Sequence, residues 1–196
     1  MKIFLGGING VGKTTVLRQL GLRLPHIKII LGSKSYMHFL GLVPNDYEGL
    51  RSLPEKEHQV KLRKFIKKHI RGASKQQTFI FDGHFVVFDQ GSAPITKVAD
   101  WIKDFDLMIL LEASPSDIYN RVFYDQKNNI RQRSYMIDDK ELAIDVIQKR
   151  LNYTRNVANR SSEWFNVPLL VVSNDEIDLT VQTIIDYIGD ENATNI

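Results

Sequence analysis

The sequence predicts an α/β fold in which a five-stranded parallel sheet carries helices on both faces. Short apolar runs alternate with longer amphipathic segments along the chain, and the run DLMILLEA at 106–113 is apolar at nearly every position. Strands buried on both faces have such continuous runs, and strand–helix–strand connections place consecutive strands parallel. We therefore expect three layers, with ligands bound at the carboxyl ends of the strands.

Three of the predicted strands lie in the first half of the chain. They are KIFLGG at 2–7, IKIIL at 27–31 and TFIFDG at 78–83. The helix after the first strand ends at Pro25, a short helix is expected at 34–40, and a longer one runs from about 55 to 71. The basic residues of this longer helix are interpreted as a solvated face, since charge runs of this kind more often face water than RNA.

The second half holds the last two strands and three helices. DLMILLEA is the fourth strand, and VPLLVVSN at 167–174 is the fifth. One helix opens at Ser114-Pro115, a long one carries an apolar stripe that includes Leu142 and Leu151, and the closing helix covers 179–188. We predict a single domain over 1–190 and a frayed tail at 191–196.

Composition excludes several classes of protein. The chain has 196 residues, no cysteine and a formal net charge of +3. The lack of cysteine excludes disulfides and thiolate metal sites, and a cytoplasmic location is expected. The first apolar run breaks at Gly6, which makes it too short for a signal peptide or a membrane span. The modest positive charge fits a small anionic substrate and does not by itself indicate nucleic acid.

The segment GGINGVGKTT follows the first strand and opens the first helix. From Gly7 to Thr14 it has the pattern Gly-x-x-x-x-Gly-Lys-Thr, which marks a loop that binds the phosphates of a nucleotide. The glycines let backbone N–H groups converge, and the helix N-terminus adds positive potential. Lys13 supplies a charge for the outer phosphates, and Thr14 supplies a hydroxyl for Mg²⁺. The candidate contacts with ATP are Gly7, Asn9, Gly10, Val11, Gly12, Lys13, Thr14 and Thr15.

Two acidic residues end predicted strands at the same edge of the sheet. Asp82 ends the third strand and is the first candidate for the magnesium-associated acid, while Glu112 at the end of the fourth is the alternative. His84 is either part of the acceptor pocket or a hydrogen-bonded structural histidine. The nearby aromatic residues are interpreted as core and pocket wall: Phe79, Phe81, Phe85 and Phe88.

The arginines of the sequence favour phosphoryl transfer over hydrolysis. A kinase needs a second pocket with positive groups for the acceptor, and it needs a lid that excludes water. The polar stretch YDQKNNIRQRS at 124–134 contains Arg131 and Arg133, and we predict a mobile lid at about 124–137. We predict an acceptor-binding insert at about 33–72, which contains Arg51. The guanidinium fork can hold two phosphate oxygens at once. Two flanking arginines either join the phosphates or are ordinary helix-surface charges: Arg121 and Arg150.

The order of these motifs resembles that of the archaeal-type adenylate kinases, within the P-loop nucleoside monophosphate kinase superfamily. GGINGVGKTT resembles the phosphate loop of that family, and LGSKSYMHFLGL resembles its segment after the second strand. FDGH resembles the end of its third strand, DLMILLEASPSDIYNRV its fourth strand and following helix, and IRQRS its lid. The likeness covers roughly 1–175 and implies a P-loop NTPase fold with the strand order 2-3-1-4-5.

The resemblance also implies roles for individual residues. Lys13 would bridge the donor and transferred phosphates, and Asp82 would hold Mg²⁺ through water. Ser33 and Arg51 would belong to the acceptor pocket, with His84 close to it. The lid arginines would close over the phosphates with help from Arg150, and Arg121 would stack on the donor base or join the phosphates; the lid pair is Arg131 and Arg133.

Three functions are compatible with these motifs. The leading one is ATP-dependent phosphoryl transfer to a nucleoside monophosphate or a similar small phosphorylated acceptor. A small-molecule or nucleoside kinase on the same fold is the second, and a P-loop ATPase that assists RNA or protein assembly is the third. The basic helix is the only feature that favours the third, and it lacks the interleaved aromatic residues that stack on bases. We therefore expect small-molecule partners and neither RNA nor a membrane.

Overall fold

The computed structural model describes residues 1–43, 46, 49–50, 52–72, 78–88, 93–128 and 139–193. Its strands are β1 (Lys2–Gly6), β2 (Lys28–Leu31), β3 (Phe79–Asp82), β4 (Val86–Val87), β5 (Ile95–Thr96), β6 (Leu107–Glu112) and β7 (Leu169–Ser173). Its helices are α1 (Lys13–Arg23), α2 (Gly32–Phe39), α3 (Glu55–Gly72), α4 (Pro115–Lys127), α5 (Lys140–Phe165) and α6 (Ile177–Ala193), with a 3₁₀ helix at Asp100–Asp104.

Five strands form a parallel sheet in the order β2-β3-β1-β6-β7. Counted along the chain, this is the order 2-3-1-4-5, so the predicted fold class and strand order are confirmed. In the register of the sheet, Leu5 and Leu31 both pair with Asp82. Glu112 pairs with Ser173. The carboxyl ends of the five strands therefore form one edge, as parallel pairing requires.

A two-stranded antiparallel hairpin, β4–β5, was not predicted. Val86 pairs with Thr96 and Val87 with Ile95. A strand of two residues carries no readable alternation of apolar and polar residues, which explains why the sequence pattern gave no signal. The hydrogen bond from Lys97 N to Phe85 O, at 2.8 Å, continues this pairing and brings Lys97 toward the end of β3.

The sheet divides the core into two clusters. Ile3 and Leu5 of β1 face one cluster, and Phe4 between them faces the other, as the two-residue period of a strand dictates. The second cluster is rich in aromatic residues, and Phe79, Phe81 and Phe85 of the predicted set are buried there. The interpretation of these three as core is confirmed.

Helix boundaries differ from the prediction in three places, one of which is the closing helix: α6 covers Ile177–Ala193 instead of 179–188 and so extends into the predicted tail. α5 begins beside Asp139, whose carboxylate accepts hydrogen bonds from the N–H groups of Glu141 and Leu142. Its buried stripe starts at Ala143 and continues at Ile147, whereas Leu142, which the predicted apolar stripe included, is 49% exposed. α4 continues to Lys127, which makes the first residues of the predicted lid helical. No helix among the described residues is long and apolar enough to cross a membrane.

Candidate active site

The glycine loop between β1 and α1 adopts backbone conformations that side chains would disturb. Gly10 and Gly12 have φ angles of 89° and 91°, in the left-handed region. A Cβ at Gly12 would lie 2.4 Å from Nδ2 of Asn174, and one at Gly10 would lie 2.8 Å from a methyl group of Val122. The loop therefore packs against α4 and the residue after β7. Thr14 and Thr15, in the first turn of α1, remain exposed.

Asn174 and Arg121 hold the loop in place through one carbonyl group. Val11 O accepts a hydrogen bond from Asn174 Nδ2 at 2.6 Å and another from the Arg121 guanidinium at 3.3 Å. Arg121 also donates to Asn174 O at 2.9 Å. Arg121 thus lies against the glycine loop, and its contact with a nucleotide stays a prediction. Asn174 was missed by sequence analysis, although it follows the fifth strand at the edge where ligands bind.

Lys13 is buried in the loop that it follows. Its ammonium donates to Gly7 O at 2.7 Å and to Ile8 O at 3.1 Å. His84 Nδ1 lies 3.3 Å from the same Gly7 O. These contacts keep the lysine charge within the turn of the loop, next to the end of β3. The structure therefore brings together two residues that the sequence separates by about seventy positions, namely Lys13 and His84.

Asp82 ends β3 beside this lysine. One of its carboxylate oxygens, Oδ1, is buried and has no hydrogen-bond partner among the described residues. Burial raises the pKa of Asp82 above its ordinary value, while the charge of Lys13 acts in the opposite direction. A buried carboxylate oxygen without a partner is costly, and it fits a group that gains a partner when a ligand binds.

Glu112 has a different environment, although it also ends a strand of the sheet. Arg155 Nε donates to Glu112 Oε1 at 2.9 Å, and the terminal guanidinium nitrogen Nη2 donates to the other oxygen. This hydrogen bonding, together with the negative charge of Glu112, raises the pKa of Arg155. Since both of its oxygens already accept a hydrogen bond from Arg155, Glu112 is the less suitable of the two candidates for the magnesium-associated acid. Sequence analysis missed Arg155, which lies on α5 and is 43 positions away.

A pocket opens next to the carboxyl end of β3. α2, α3, the β4–β5 hairpin and the 3₁₀ helix all contribute to its wall. A Cβ at Gly32 would lie only 1.9 Å from the Asp82 carbonyl, so glycine is required where α2 meets this strand. Most of the lining is apolar or aromatic, and the polar members are Ser33, His58, Asp82, His84 and Lys97.

The residues predicted for the acceptor site and the lid fall into three groups. Ser33 and His84 line the pocket, together with Asp82. Arg150 instead lies over the ring of Phe88, 5.0 Å from its centroid, so its contact with phosphates stays a prediction. The remaining three lie outside the described residues: Arg51, Arg131 and Arg133.

A family model described as "AAA domain" matches residues 6–141, which is more than half of the chain. The chain belongs to this family. The matched range begins with the phosphate loop and includes Asp82, Glu112 and Arg121. No curated protein matches the sequence of this AAA-domain chain.

Solved structures with the same fold include several small-molecule kinases. Shikimate kinase from Bacteroides thetaiotaomicron superposes with a TM-score of 0.61 at 14% identity, over 96% of this chain and 98% of that one. Shikimate kinase from Acinetobacter baumannii, in complex with shikimate, gives 0.54 at 14% identity, over 97% and 93%. Deoxyadenosine kinase from M. mycoides, with bound dATP, gives 0.52 at 17% identity, over 96% and 100%.

These comparisons confirm the predicted P-loop fold. The chain belongs to the AAA-domain family and has a fold that is also found in shikimate and deoxyadenosine kinases. At identities of 14–17%, this likeness shows the fold alone and does not identify a substrate of this chain.

Proposed function

We propose that this chain transfers the terminal phosphoryl group of ATP to a small acceptor, and that the acceptor is a nucleoside monophosphate or a close relative. The observation that carries this proposal is the junction between the phosphate loop and the pocket. Lys13 and His84 both contact Gly7 O, and His84 and Asp82 line the pocket. A phosphate held by the loop would therefore lie next to an acceptor held in the pocket, as direct transfer requires.

The loop and its lysine would bind the donor. Lys13 is held by two carbonyl groups and can exchange them for phosphate oxygens without a large movement. Its charge would stabilise the phosphoryl group most strongly during transfer, when negative charge spreads over the equatorial oxygens. Arg121, fixed between Val11 O and Asn174 O, would keep the loop in its binding conformation.

Thr14 and Asp82 are the residues that would hold Mg²⁺. Thr14 is exposed at the start of α1, and Asp82 has a buried oxygen that lacks a partner among the described residues. This donor set suits a hard cation that prefers oxygen ligands and keeps some of its waters. When bound, Mg²⁺ would neutralise part of the charge on the phosphates of the donor. Asp82 would hold it through water rather than directly.

A second candidate is a kinase whose acceptor carries no phosphate. Within the described part of the pocket lining, Lys97 is the one lysine or arginine, and its ammonium already contacts Glu55 at 3.1 Å. A phosphorylated acceptor therefore needs the charges of the arginines predicted for the insert and the lid, such as Arg51 and Arg131. The kinase fold shared with shikimate and deoxyadenosine kinases is compatible with this second candidate.

The experiment that tests the proposal is a transfer assay with ATP, Mg²⁺ and a panel of acceptors. The panel contains the common nucleoside monophosphates, the matching nucleosides and shikimate. We expect the monophosphates to be phosphorylated by the wild type and not by Lys13→Ala, while Lys149→Ala, which changes an exposed lysine, behaves as wild type. Transfer to nucleosides or shikimate alone would favour the second candidate. ATP hydrolysis that only RNA or a protein partner stimulates would contradict both.

A further inference from the structure

Three charged or polar side chains form a cluster on the wall of the pocket, which we call the Lys97 cluster: Glu55, His58 and Lys97. The Lys97 ammonium donates to Glu55 Oε2 at 3.1 Å and to His58 Nδ1 at 3.3 Å. The side chains of His58 and Lys97 are each only 13% exposed. Burying an ammonium and an imidazole in a mostly apolar pocket is unfavourable unless they are paired, so the cluster is a built feature of the pocket.

The lysine determines which nitrogen of His58 carries the proton. An ammonium can only donate, so Nδ1 must accept the hydrogen bond and the hydrogen of the neutral ring must be on Nε2. Glu55 Oε2 lies 3.9 Å from Nδ1, which is beyond hydrogen-bond distance. Burial, followed by the charge of Lys97, lowers the pKa of His58, which keeps the ring neutral near pH 7.

The cluster therefore presents donors to the pocket. His58 Nε2–H has no partner among the described residues, and His58 lines the pocket. Lys97 also lines it, but its ammonium already donates to Glu55 and His58, so its part is to fix the tautomer of His58. Trp101 is a third lining residue whose N–H is buried and lacks a partner in the described part of the chain. By contrast, the Asp82 carboxylate can accept a hydrogen bond at the end of the pocket that adjoins the phosphate loop.

The rest of the wall suits a flat ring. Phe4, Tyr36, Phe81 and Trp101 line the pocket, and Tyr36 stacks on His58 with a centroid distance of 5.5 Å and an interplanar angle of 30°. Tyr36 also donates a hydrogen bond to the backbone carbonyl of His58 at 3.1 Å, which fixes the position of that residue. Aromatic walls with a few fixed polar groups give a pocket its selectivity for the orientation of a planar ligand.

We infer that His58, whose tautomer Lys97 fixes, recognises the acceptor, and that it selects a nucleobase whose edge presents a keto oxygen rather than an amino group. A keto oxygen accepts a hydrogen bond from the His58 N–H, whereas an amino group at the same position leaves two donors facing each other. A site that is built to hydrogen-bond one group rejects the analogue that lacks it, because its own polar groups are left unpaired. This inference rests on the proposed function for the identity of the pocket as the acceptor site.

Two pairs of nucleotides differ in the group that His58 would recognise, and they test its hydrogen bond to the base. Inosine and adenosine monophosphate differ in a keto or amino group on the same purine, and uridine and cytidine monophosphate differ likewise on a pyrimidine. We expect calorimetric titration, without ATP, to give about tenfold tighter binding of the keto member of each pair to the wild type. Equal affinities within both pairs, tighter binding of the amino members, or no binding of any monophosphate would overturn the inference.

Three variants of the cluster show whether its residues cause the preference. His58→Phe keeps a ring against Tyr36 and removes both nitrogens. The ratio of the affinities for the keto and the amino ligand should therefore fall close to one. His58→Gln retains an N–H donor and should keep part of the preference. Lys97→Met removes the ammonium that fixes the tautomer of His58, and it should therefore reduce the keto preference. Thermal unfolding of each variant identifies any that fail to fold, and a preference unchanged in a folded His58→Phe would overturn the inference.

The same proteins separate this inference from the proposed function. Phosphoryl transfer is measured in parallel with ATP present. A keto preference that depends on His58, without any transfer, would support the inference and contradict the proposed function. Transfer that occurs with no preference at all would support the proposed function and contradict the inference.

Discussion

At the scale of single residues, the site depends on two opposite charges buried next to each other. Lys13 is satisfied by the carbonyl groups of Gly7 and Ile8, whereas Asp82 keeps one buried oxygen without a partner in the described structure. The lysine reduces the cost of the carboxylate but does not cancel it, because burial still raises the pKa of Asp82. Such a residue contributes little to stability. A ligand that binds its carboxylate is the better explanation for its presence.

Replacing Lys13 tests the donor side of the site. Lys13→Ala should lower the transfer rate by two to three orders of magnitude, because the charge on the transferred phosphoryl group loses its nearest cation. The chain should stay folded, since the Lys13 ammonium donates to the loop carbonyl groups of Gly7 and Ile8 and is not part of the apolar core. Turnover and circular dichroism are measured on the same sample, and undiminished turnover in a folded variant would exclude this role.

Replacing Asp82 tests whether this residue serves phosphoryl transfer at the expense of the stability of the fold. Asp82→Asn should raise the free energy of unfolding at neutral pH by about 1 kcal/mol, because a buried charge is removed. The same change should lower transfer by about a hundredfold, since the magnesium site loses its carboxylate. Denaturant unfolding and turnover are compared with Asp186→Asn, which changes an exposed carboxylate that accepts a bond from Gln182. A less stable but fully active variant would contradict the assignment.

At the scale of elements, the predicted lid is the part that distinguishes transfer from hydrolysis. α4 ends at Lys127 and α5 begins at Lys140, and the arginines between them lie outside the described residues. Replacing Arg131 and Arg133 together by alanine should lower transfer about a thousandfold, as loss of phosphate-contacting arginines does in other phosphoryl transfers. ATP affinity should change only a few-fold, because the glycine loop still holds the donor.

A matched control keeps the number of charges equal. Arg18 and Arg160 are exposed on α1 and α5, and their double replacement by alanine removes the same total charge. Transfer and ATP affinity are measured on both double variants. If ATP affinity falls in proportion to transfer in the lid variant alone, the two lid arginines act on the bound ground state and not on the transition state.

α3 gives the fold a pH dependence that can be measured. The pKa of His58 is lowered by burial and by Lys97, and the pKa of His69 by burial and nearby lysines. The unfolded chain therefore takes up protons first, and stability is present above the ordinary histidine pKa of 6.5 and is lost as pH falls through the lowered value. We expect His58→Gln to lose less stability than the wild type between about pH 7.5 and about pH 5.5. An equal loss in both proteins would assign the effect to other groups.

At the scale of the whole molecule, local patterns predicted the sheet and the phosphate loop. The five sheet strands have strong apolar runs, and the loop has a short motif with a fixed spacing, so both can be read from neighbouring residues. The contacts that complete the site join distant positions. Lys97 and Glu55 are 42 positions apart, Arg155 and Glu112 are 43, and Asn174 and Val11 are 163. No periodicity encodes such pairs, because each depends on how the elements pack.

The polar lining of the pocket beside β3 could likewise be predicted only in part. Ser33 and His84 were predicted through a resemblance, and both line the pocket. His58 was not predicted, because on α3 it follows Glu55 and Glu57 in an exposed, charged turn. His58 becomes part of the pocket wall through the contact of α3 with Lys97, which follows β5. Trp101 likewise reaches the wall from a short 3₁₀ helix that no motif marks.

The central claim is that the phosphate held by the glycine loop passes to an acceptor in the adjoining pocket and not to water. The most direct measurement uses ATP that is radiolabelled in its terminal phosphate, with each nucleoside monophosphate of the panel as acceptor, and separates the labelled products. We expect the label to appear in a nucleoside diphosphate, and we expect Lys13→Ala to abolish its appearance. Label that appears as inorganic phosphate, at a rate independent of any acceptor in the panel, would contradict the claim.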